Sequence, residues 1–559
     1  MYNAMCKLIL IALIFMPVGA ACAQAKAVDL FPGDTTTFTH ADTLRGSNTP
    51  ERAWWDVTYY DLHVRINPRD SSITGYNTIG YTVIAPPRKM QLDLMTPLDI
   101  DSIIQNGHSL SFSRDGNAFF VRTVPRQKPG SRQTLTVYYH GAPRVAVHPP
   151  WDGGFIWTTD SLGNPWIATA CQGVGASIWW PNKDYQGDEP DSQRISITLP
   201  GDLIDVSNGR LEARTPNRDG TVTYRWFVDD PINNYDVAVN AGKYVHFGGT
   251  FQGADGPLSL DYWVLPYHLS AARRQFTQVD TMLKCFEYWF GPYPWYKDGY
   301  KLVEAPHLGM EHQSCIAYGN HYENGYLGND LSGTGWGLKW DFIIIHESAH
   351  EWFGNNLTAK DIADMWVHEA FANYAESLYT ECIFGKKAGE AYCRGTRKNV
   401  ANDKPVIGHY GVNDEGSGDM YYKGGNMLLT IREILQNDEK WRSILRGLNS
   451  HFRHQTVTGR AVEQYISQKA GINLEKVFRQ YLNTTQIPRF DYYFKKGLLY
   501  YRWSQVVPGF DMPLDVTLIP GAFTRLHPTE QWQSIAVKAT AKQFKVDENF
   551  YVTAHAQKP

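Results

Sequence analysis

Residues 342–350 read Phe-Ile-Ile-Ile-His-Glu-Ser-Ala-His, and residues 366–374 read Trp-Val-His-Glu-Ala-Phe-Ala-Asn-Tyr. The first stretch contains the pattern H-E-x-x-H, which begins at His346 and follows an apolar run. On a helix, residues four apart lie on one face, so the imidazoles of His346 and His350 can reach one cation while Glu347 lies beside it. The pattern therefore predicts a helix that supplies two nitrogen ligands to zinc.

A third ligand is expected from another element, because a catalytic zinc ion has three protein ligands and an open position for water. Glu369 lies nineteen residues after His350, in a stretch with the pattern of an amphipathic helix. Two helices joined by residues 355–364 can pack as a pair and bring Glu369 to the metal. Each residue alone reads better as an ordinary helix histidine or a solvated carboxylate. Their joint spacing favours one zinc ion per chain, held by His346, His350 and Glu369.

Glu347 is the candidate general base of this site. Zinc lowers the pKa of its bound water and polarises a carbonyl, so a neighbouring carboxylate can accept the water proton and pass it to a leaving amine. His368 is adjacent to Glu369 but one helix position away, which points it about 100° elsewhere. We expect His368 to pack behind the site and not to bind the metal.

The composition is that of a folded protein with several domains. The chain has 559 residues, of which 43% are hydrophobic and 20% charged, and this length predicts about three or four globular units. The net charge of −4 and the pI near 6.5 predict no broad basic face for nucleic acid and no polybasic segment for anionic lipid.

The first 23 residues have the pattern of a signal peptide. Lys7 precedes an apolar run from Leu8 to Val18, and residues 21–23 read Ala-Cys-Ala, the form of a signal-peptidase site. We expect export to the periplasm or the extracellular space and a mature chain that starts near Gln24. An uncleaved anchor is the alternative, although the run is shorter than the roughly 20 residues that cross a bilayer. Lipid attachment at Cys22 also stays open. No second segment of membrane length follows.

Five cysteines remain after such a cleavage, and their scattered positions are not typical of a disulfide framework. Cys382 and Cys393 could pair in an oxidising compartment. The sequence does not decide whether they do.

The periodicity of apolar residues divides the chain into three parts after the signal peptide. Residues 45–252 carry short alternating runs broken by turn residues, which predict an antiparallel β domain; examples are residues 60–66, 135–139 and 235–239. Residues 253–487 are rich in helical patterns, at residues 271–289, 340–353, 366–383, 425–436 and 461–470. Residues 488–559 return to strand patterns, at residues 498–503 and 514–519, and predict a small C-terminal β domain.

Several motifs in this order resemble one known family, the aminopeptidase N-like gluzincins. Its signature is H-E-x-x-H followed, after eighteen residues, by Glu. Further matching segments are Phe290-Gly-Pro-Tyr-Pro-Trp295, Leu308-Gly-Met-Glu-His312, Tyr421-Tyr-Lys-Gly424, Cys171-Gln172, Trp180-Pro181 and Val206-Ser-Asn-Gly209. The resemblance covers roughly residues 50–490. It implies a multidomain α+β protein with an N-terminal β domain, a thermolysin-like catalytic domain and a small C-terminal β domain.

The resemblance also implies roles for four further residues. Glu311 would pair with the free α-ammonium of a peptide, which makes an exopeptidase, and Gln172 would reach in from the β domain as a second acceptor. Gly309 would let the substrate backbone approach closely because it has no Cβ. Tyr421 would donate a hydrogen bond to the oxyanion; without the resemblance it would read as a core aromatic at a helix start.

Three positions depart from the family pattern. Leu308 replaces the usual first glycine of the exopeptidase motif, and His312 replaces its usual asparagine. Glu351 follows the second histidine, where glutamine is common, and adds negative charge near the site.

The sequence predicts a zinc-dependent aminopeptidase whose substrates are peptides with a free N-terminus. One alternative is a zinc endopeptidase, or a hydrolase of another small substrate, with the same metal centre and no need for a free amine. A second alternative, from a different class, is a noncatalytic binding protein on the same fold. The complete set of chemical groups from His346 to Tyr421 favours the enzyme.

Overall fold

The computed structural model describes residues 36–558, and the proposed signal peptide lies outside them. The N-terminal part is built on an eight-stranded sheet. Its central strands Trp55–Asn67 and Ser72–Val83 alternate buried and exposed residues, as strands with one covered face do. In spatial order the strands are Arg210–Pro216, Thr221–Val228, Ser192–Pro200, Trp55–Asn67, Ser72–Val83, Arg132–Gly141, Asp99–Gln105 and His108–Ser109. All neighbours pair antiparallel except Trp55–Asn67 with Ser192–Pro200, which are parallel.

Two smaller sheets complete this β part and enclose one buried cluster with the large sheet. The four-stranded sheet consists of Ile204–Val206, Asn240–Gly242, Pro165–Ala170 and Gly154–Thr159, and the three-stranded sheet of Met90–Asp93, Ala118–Val121 and Phe112–Asp115. The strand expected at residues 235–239 is wrong. A 3₁₀ turn, Asn234–Asp236, forms there, because the preceding Pro231 and Asn233 favour a turn over an extended strand.

The middle part combines a five-stranded sheet with most of the helices. The sheet strands are Val245–Gly253, Gly256–Val264, Tyr300–Glu304, Ile316–Tyr318 and Gly309–Met310, with Gly309–Met310 at one edge. This edge strand lies next to the H-E-x-x-H helix, Phe342–Ala349, so the sheet places the predicted exopeptidase motif against the predicted metal helix.

Nine α-helices are described in the middle part. They are Leu269–Gln275, Gln278–Phe290, Phe342–Ala349, Trp366–Phe384, Lys386–Gly395, Tyr422–Leu435, Asp438–His451, Gly459–Ala470 and Glu475–Asn483. The single helix expected at residues 271–289 is two helices, with the break at residues 276–277. Short helical turns occur in both parts. Two lie in the β part, at Ala176–Ile178 and Asn234–Asp236, and the others at Pro266–His268, Gly337–Lys339, Glu351–Asn355, Ile362–Asp364, Thr396–Asn399 and Gly418–Met420.

The C-terminal strands pack against the helices of the middle part. A four-stranded sheet contains Gln533–Ala536, Leu498–Ser504, Arg489–Lys495 and Thr553–Ala556, and a hairpin contains Leu514–Ile519 and Ala522–Leu526. A further parallel pair, Leu357–Ala359 with Gln455–Val457, lies within the middle part. Phe490, Trp503 and Leu514 belong to the same buried cluster as the helices of the middle part. These strands therefore share a core with the helices.

A short helix, His40–Gly46, precedes the first sheet and contacts both walls of the central cleft. Thr39 caps the helix through Asp42 in a capping box. Arg45 Nη2 donates to the carbonyl oxygen of Gly173 at 2.8 Å. Gly46 lies against the backbone of Val412, where a Cβ would come within 2.3 Å of the Val412 carbonyl carbon. The helix therefore links the β part to the loop that leads to Tyr421.

The cysteine pairing differs from the one considered from the sequence. Cys285 forms a disulfide with Cys382, and Cys393 is a buried free thiol. The pair Cys382–Cys393, which the sequence left open, does not form, because the helix Gln278–Phe290 packs on Trp366–Phe384 and brings Cys285 to Cys382. Within residues 36–558, no helix has both the length and the apolar character needed to cross a membrane.

Candidate metal centre

The H-E-x-x-H helix is fixed at both ends. At its start, the side chain of Asp341 accepts hydrogen bonds from the backbone N–H groups of Ile343 and Ile344 and so caps the helix. At its end, residues 351–355 form a wider turn in which Gly354 has φ of +137°, a value that L-residues rarely adopt. This turn directs the carbonyl of Phe353 toward the ring of His350.

Three ligand atoms converge at the predicted zinc site. The distance between His346 Nε2 and His350 Nε2 is 3.4 Å, and Glu369 Oε2 lies 3.5 Å from the first nitrogen and 3.4 Å from the second. Ligands bound tetrahedrally at about 2.0–2.1 Å are separated by about 3.3–3.4 Å. Glu369 Oε2 is buried and has no hydrogen-bond partner among residues 36–558. The three residues therefore fit a zinc ion.

The outer nitrogens of both histidines are held by hydrogen bonds. His346 Nδ1 lies 2.8 Å from Glu376 Oε1, and His350 Nδ1 lies 3.0 Å from the carbonyl oxygen of Phe353. Both partners accept, so each Nδ1 donates and each Nε2 keeps a lone pair for a metal. Glu376 in turn accepts from the Tyr392 hydroxyl at 2.6 Å. Each imidazole is thus fixed in the tautomer that zinc needs.

Glu376 was not predicted from the sequence, although the sequence contains a signal for it. Glu376 follows Glu369 by seven residues, about two helical turns, and therefore lies on the same face of the helix Trp366–Phe384. A carboxylate at this spacing after a predicted metal ligand is a candidate hydrogen-bond acceptor for one of the metal-binding histidines. His368 behaves as expected: its Nε2 accepts the backbone N–H of Ala359 at 2.8 Å and takes no part in the cluster.

The electrostatics of the site favour a cation. Burial lowers the pKa of His350, but the nearby negative charge of Glu369 outweighs burial and raises that pKa to about 9. Burial raises the pKa of Glu369, but the neighbouring His350 and His346 outweigh burial and lower that pKa well below its usual range. Carboxylates therefore dominate the potential at the point where the three ligand atoms meet.

Glu347 lies beside the ligands and against Gly309. Burial raises the pKa of Glu347, while the neighbouring His346 and His350 lower it in part. A Cβ on Gly309 would come within 2.9 Å of Glu347 Oε1 and within 2.9 Å of Ile343 Cγ2. Gly309 therefore makes room for the carboxylate of Glu347. This is a second reason for glycine, beside the expected approach of the substrate backbone.

Glu311 forms the end of the cleft next to His350. Its Oε1 accepts from Gln172 Nε2 at 2.5 Å and from the Tyr235 hydroxyl at 3.2 Å. Gln172 Nε2 also donates to Glu369 Oε1 at 3.2 Å, and these bonds leave its amide carbonyl oxygen free to accept. Burial is the largest cause that raises the pKa of Glu311, to about 7, and the carboxylates of Glu369 and Glu347 add to it.

A buried brace holds the loop that carries Glu311. Asn355 Nδ2 donates to the carbonyl oxygen of Glu311 at 2.8 Å and to Glu351 Oε2 at 3.2 Å. Glu351 Oε1 accepts the backbone N–H of Ser314 at 2.9 Å and the Tyr293 hydroxyl at 3.1 Å. Glu351 thus points away from the cleft and connects the metal helix to the Glu311 loop. The sequence led us to expect a further negative charge at the site, but the carboxylate of Glu351 is instead bound by Ser314, Tyr293 and Asn355.

Tyr421 also lines the cleft and lies at the start of the helix Tyr422–Leu435. Its ring centroid lies 6.0 Å from that of His346. Burial, with the charges of Glu369 and Glu311, raises the pKa of Tyr421 well above its usual range. The phenol therefore keeps its proton and is a hydrogen-bond donor. All eight sequence-predicted site residues line one cavity of about 940 Å³.

Comparison with known proteins agrees with this architecture. Residues 275–481 match the model of the Peptidase family M1 domain. The middle part of the chain is therefore similar to the M1 peptidase domain. The resemblance to the aminopeptidase N-like gluzincins is confirmed, and both the H-E-x-x-H helix and Glu369 lie within the matched M1 residues.

Two relatives illustrate how far the similarity to M1 proteins extends. Aminopeptidase N of Lactobacillus helveticus is 23% identical over 466 residues, which cover 77% of this chain and 51% of the relative. Aminopeptidase B of Rattus norvegicus is 24% identical over 376 residues, which cover 63% of this chain and 52% of the relative. The chain spans about half the length of the curated relatives it matches.

A solved M1 structure extends the comparison beyond the M1 domain. The M1 zinc metallopeptidase from Deinococcus radiodurans, whose structure was solved with a Tyr-Ser-Ala substrate, has a TM-score of 0.64 and 21% identity. The match covers 78% of this chain and 96% of that chain. The arrangement of an N-terminal β part, a helix-rich catalytic part and C-terminal sheets is thus that of M1 peptidases.

Proposed function

We propose that this protein is a zinc-dependent aminopeptidase that removes the N-terminal residue of peptides. The main observation behind this proposal is that the expected ammonium acceptor lies beside the expected metal ligands. Ligand atoms of Glu311, Glu347 and His350 lie within 4.8 Å of one another, so the acceptor for a substrate ammonium is adjacent to the metal ligands. A substrate held by its free amine would place its first peptide bond, and no later one, at the metal.

Each residue has a role that follows from its position. His346, His350 and Glu369 would hold zinc, which when bound polarises a carbonyl and acidifies a water molecule. Glu347 would accept the proton of the attacking water and deliver it to the leaving amine. Tyr421, protonated at neutral pH, would donate to the carbonyl oxygen as that oxygen gains negative charge.

Glu311 and Gln172 form the amine end of the cleft, which would select substrates by the charge of their N-terminus. Glu311 is buried among carboxylates, and a bound ammonium would relieve their mutual repulsion. The amide oxygen of Gln172 would be a second acceptor. An acylated N-terminus carries no charge, and it would leave the Glu311 carboxylate buried without a counter-ion. We therefore expect strict dependence on a free amine.

The test compares the arylamide of one amino acid with its N-acetylated form, using the purified protein before and after chelation. We expect hydrolysis of the free-amine substrate only, loss of activity with the chelator, and recovery on addition of zinc. Equal rates on the two substrates would instead support an endopeptidase or a general hydrolase. Absence of hydrolysis with zinc present would support a noncatalytic binding protein.

We also propose that the protein is exported and processed near Gln24, on the basis of the apolar run and the Ala-Cys-Ala stretch at residues 21–23. N-terminal sequencing of the protein from its producing cells tests this. A chain that retains residues 1–23 would contradict it, and a lipid-modified Cys22 at the N-terminus would replace it with an anchored form.

A further inference from the structure

A tryptophan lies at the mouth of the cleft, close to the amine site in the β framework. Strand Gly154–Thr159 pairs with Pro165–Ala170 so that Gly154 is opposite Ala170. Trp151 lies three residues before Gly154, and Gln172 lies two residues after Ala170. The two side chains therefore leave the same end of one strand pair, and both line the cavity.

The loop that carries Trp151 is held in place by its own hydrogen bonds. The carboxylate of Asp152 accepts the backbone N–H groups of Val147 at 2.6 Å and His148 at 2.9 Å. Arg144 Nη2 donates to the backbone carbonyl of Asp152 at 3.0 Å. Gly153 lies directly on Val174, since a Cβ there would come within 2.1 Å of Val174 Cγ1. The indole is thus presented by an ordered loop.

The indole itself is largely uncovered. Trp151 is 70% exposed, one of the largest exposed fractions among the bulky apolar residues of the described chain. An aromatic face of this size that lines a cavity and contacts little protein is available to a ligand. Four charged residues line the cavity near this end, and two are of each sign: Arg45, Arg144, Asp152 and Glu415. Apolar area, and not net charge, therefore distinguishes this end of the cleft.

We propose that Trp151 covers the side chain of the substrate's N-terminal residue and makes the enzyme favour large apolar or aromatic N-terminal residues over small ones. This inference rests on the proposed aminopeptidase function. When Glu311 and Gln172 hold the α-ammonium, the first side chain branches from the neighbouring carbon. The wall next to Gln172 contains Gly173, Val174 and Trp151. A flat or branched side chain would pack on the indole there, whereas a methyl group would not reach it.

The test measures kcat/KM of the zinc-loaded protein for the arylamides of phenylalanine, leucine and alanine. In Trp151→Ala we expect kcat/KM for the phenylalanine substrate to fall about tenfold, while the value for the alanine substrate stays within about twofold. Trp151→Phe keeps an aromatic face and should retain most of the preference. Val147→Ala is the matched control, because Val147 is 73% exposed in the same loop but does not line the cavity.

Two results would overturn the inference. An unchanged ratio of the phenylalanine and alanine values in Trp151→Ala would show that the indole does not contact the substrate. An equal loss on all three substrates would show a structural role for the loop. Failure of the proposed function is separate. The unmodified protein would then hydrolyse none of the arylamides, or would hydrolyse their N-acetylated forms equally well, and the inference would fail as well.

Discussion

The two ends of the cleft are held in different ways. At the metal end, the outer nitrogen of each imidazole has its own hydrogen-bond acceptor: Glu376 for His346 and the Phe353 carbonyl for His350. Glu369 Oε2, which has no partner among residues 36–558, faces the metal position. At the amine end, Glu311 is shared by Gln172 and Tyr235, which come from distant segments. Beyond Gln172, the wall ends in the exposed indole of Trp151.

This difference indicates that the two ends of the cleft have different roles. The metal end requires fixed geometry, because catalysis depends on ligand atoms held within tenths of an ångström, and its residues come from two adjacent helices. In the proposed function, the amine end accepts different peptides, and it is assembled from loops of the β part placed against the middle part. Substitutions at the metal end should therefore change kcat or metal affinity, and substitutions at the amine end should change KM and selectivity.

The largest effect is expected for Glu347→Gln. The amide keeps the size of the side chain but cannot accept a proton, so we expect kcat to fall by about 10²–10⁴. Zinc content should stay the same, because Glu347 is not one of the three converging ligands. Steady-state kinetics and metal analysis on one preparation measure both. If the variant keeps its activity, the base is another group and the assignment at the metal end is wrong.

The next effect is expected for Glu376→Gln, which weakens the acceptor behind His346. We expect zinc affinity to fall about 10–100-fold, measured by competition with a chromophoric chelator. Glu439→Gln is the control, since the side chain of Glu439 is 75% exposed and pairs with Arg442 away from the cleft. Equal zinc affinity in the two variants would mean that the bond from His346 Nδ1 to Glu376 does not support the metal.

At the amine end, Gln172→Ala removes the amide that donates to both Glu311 and Glu369, and it removes one acceptor for the ammonium. We expect KM for free-amine arylamides to rise about tenfold, while kcat changes little, because the lost contact is made equally in the ground state and the transition state. A fall in kcat with constant KM would place Gln172 in the chemical step and would remove the distinction between the two ends.

The metal end was largely predictable from the sequence, and the reason is local. H-E-x-x-H and the later glutamate lie on two helices adjacent in the chain, so spacing alone predicts which side chains meet. Glu376 follows the same rule and could have been found. The helix boundaries differ from the predicted ones by a few residues. The break at residues 276–277 was not predicted; there the hydroxyl of Thr277 donates to the carbonyl oxygen of Arg274.

The amine end was less predictable, because its contacts join segments far apart. Tyr235 reaches Glu311 across 76 residues and does so from a turn where a strand was expected. The disulfide shows the same limit: Cys285 and Cys382 are 97 residues apart and pair, whereas Cys393, much closer to Cys382, does not. Loop-closure entropy rises slowly with length, so proximity in sequence is weak evidence for a contact.

The smallest expected effect concerns two histidines of the Glu311 loop. His307 and His312 are buried, and neither ring has a hydrogen-bond partner among residues 36–558. Burial lowers the pKa of His307 to about 4 and that of His312 to about 3. Both are therefore neutral in the folded protein at pH 5.5, where the unfolded chain binds protons with a pKa near 6.5. Because the unfolded state binds more protons, the stability present above pH 6.5 is lost as the pH falls toward 4.

His312→Asn removes one of these groups and introduces the asparagine usual in the family motif. We expect the loss in free energy of unfolding between pH 7 and pH 5.5 to be smaller by about 1 kcal/mol in the variant, measured by urea titration at both pH values. Comparing the two pH values within each protein cancels any change in packing. His527→Asn, at an exposed position, is the control. An identical loss in His312→Asn and the parent protein would show that His312 is protonated or solvated in the folded state, and the Glu311 loop would then be more open than its burial indicates.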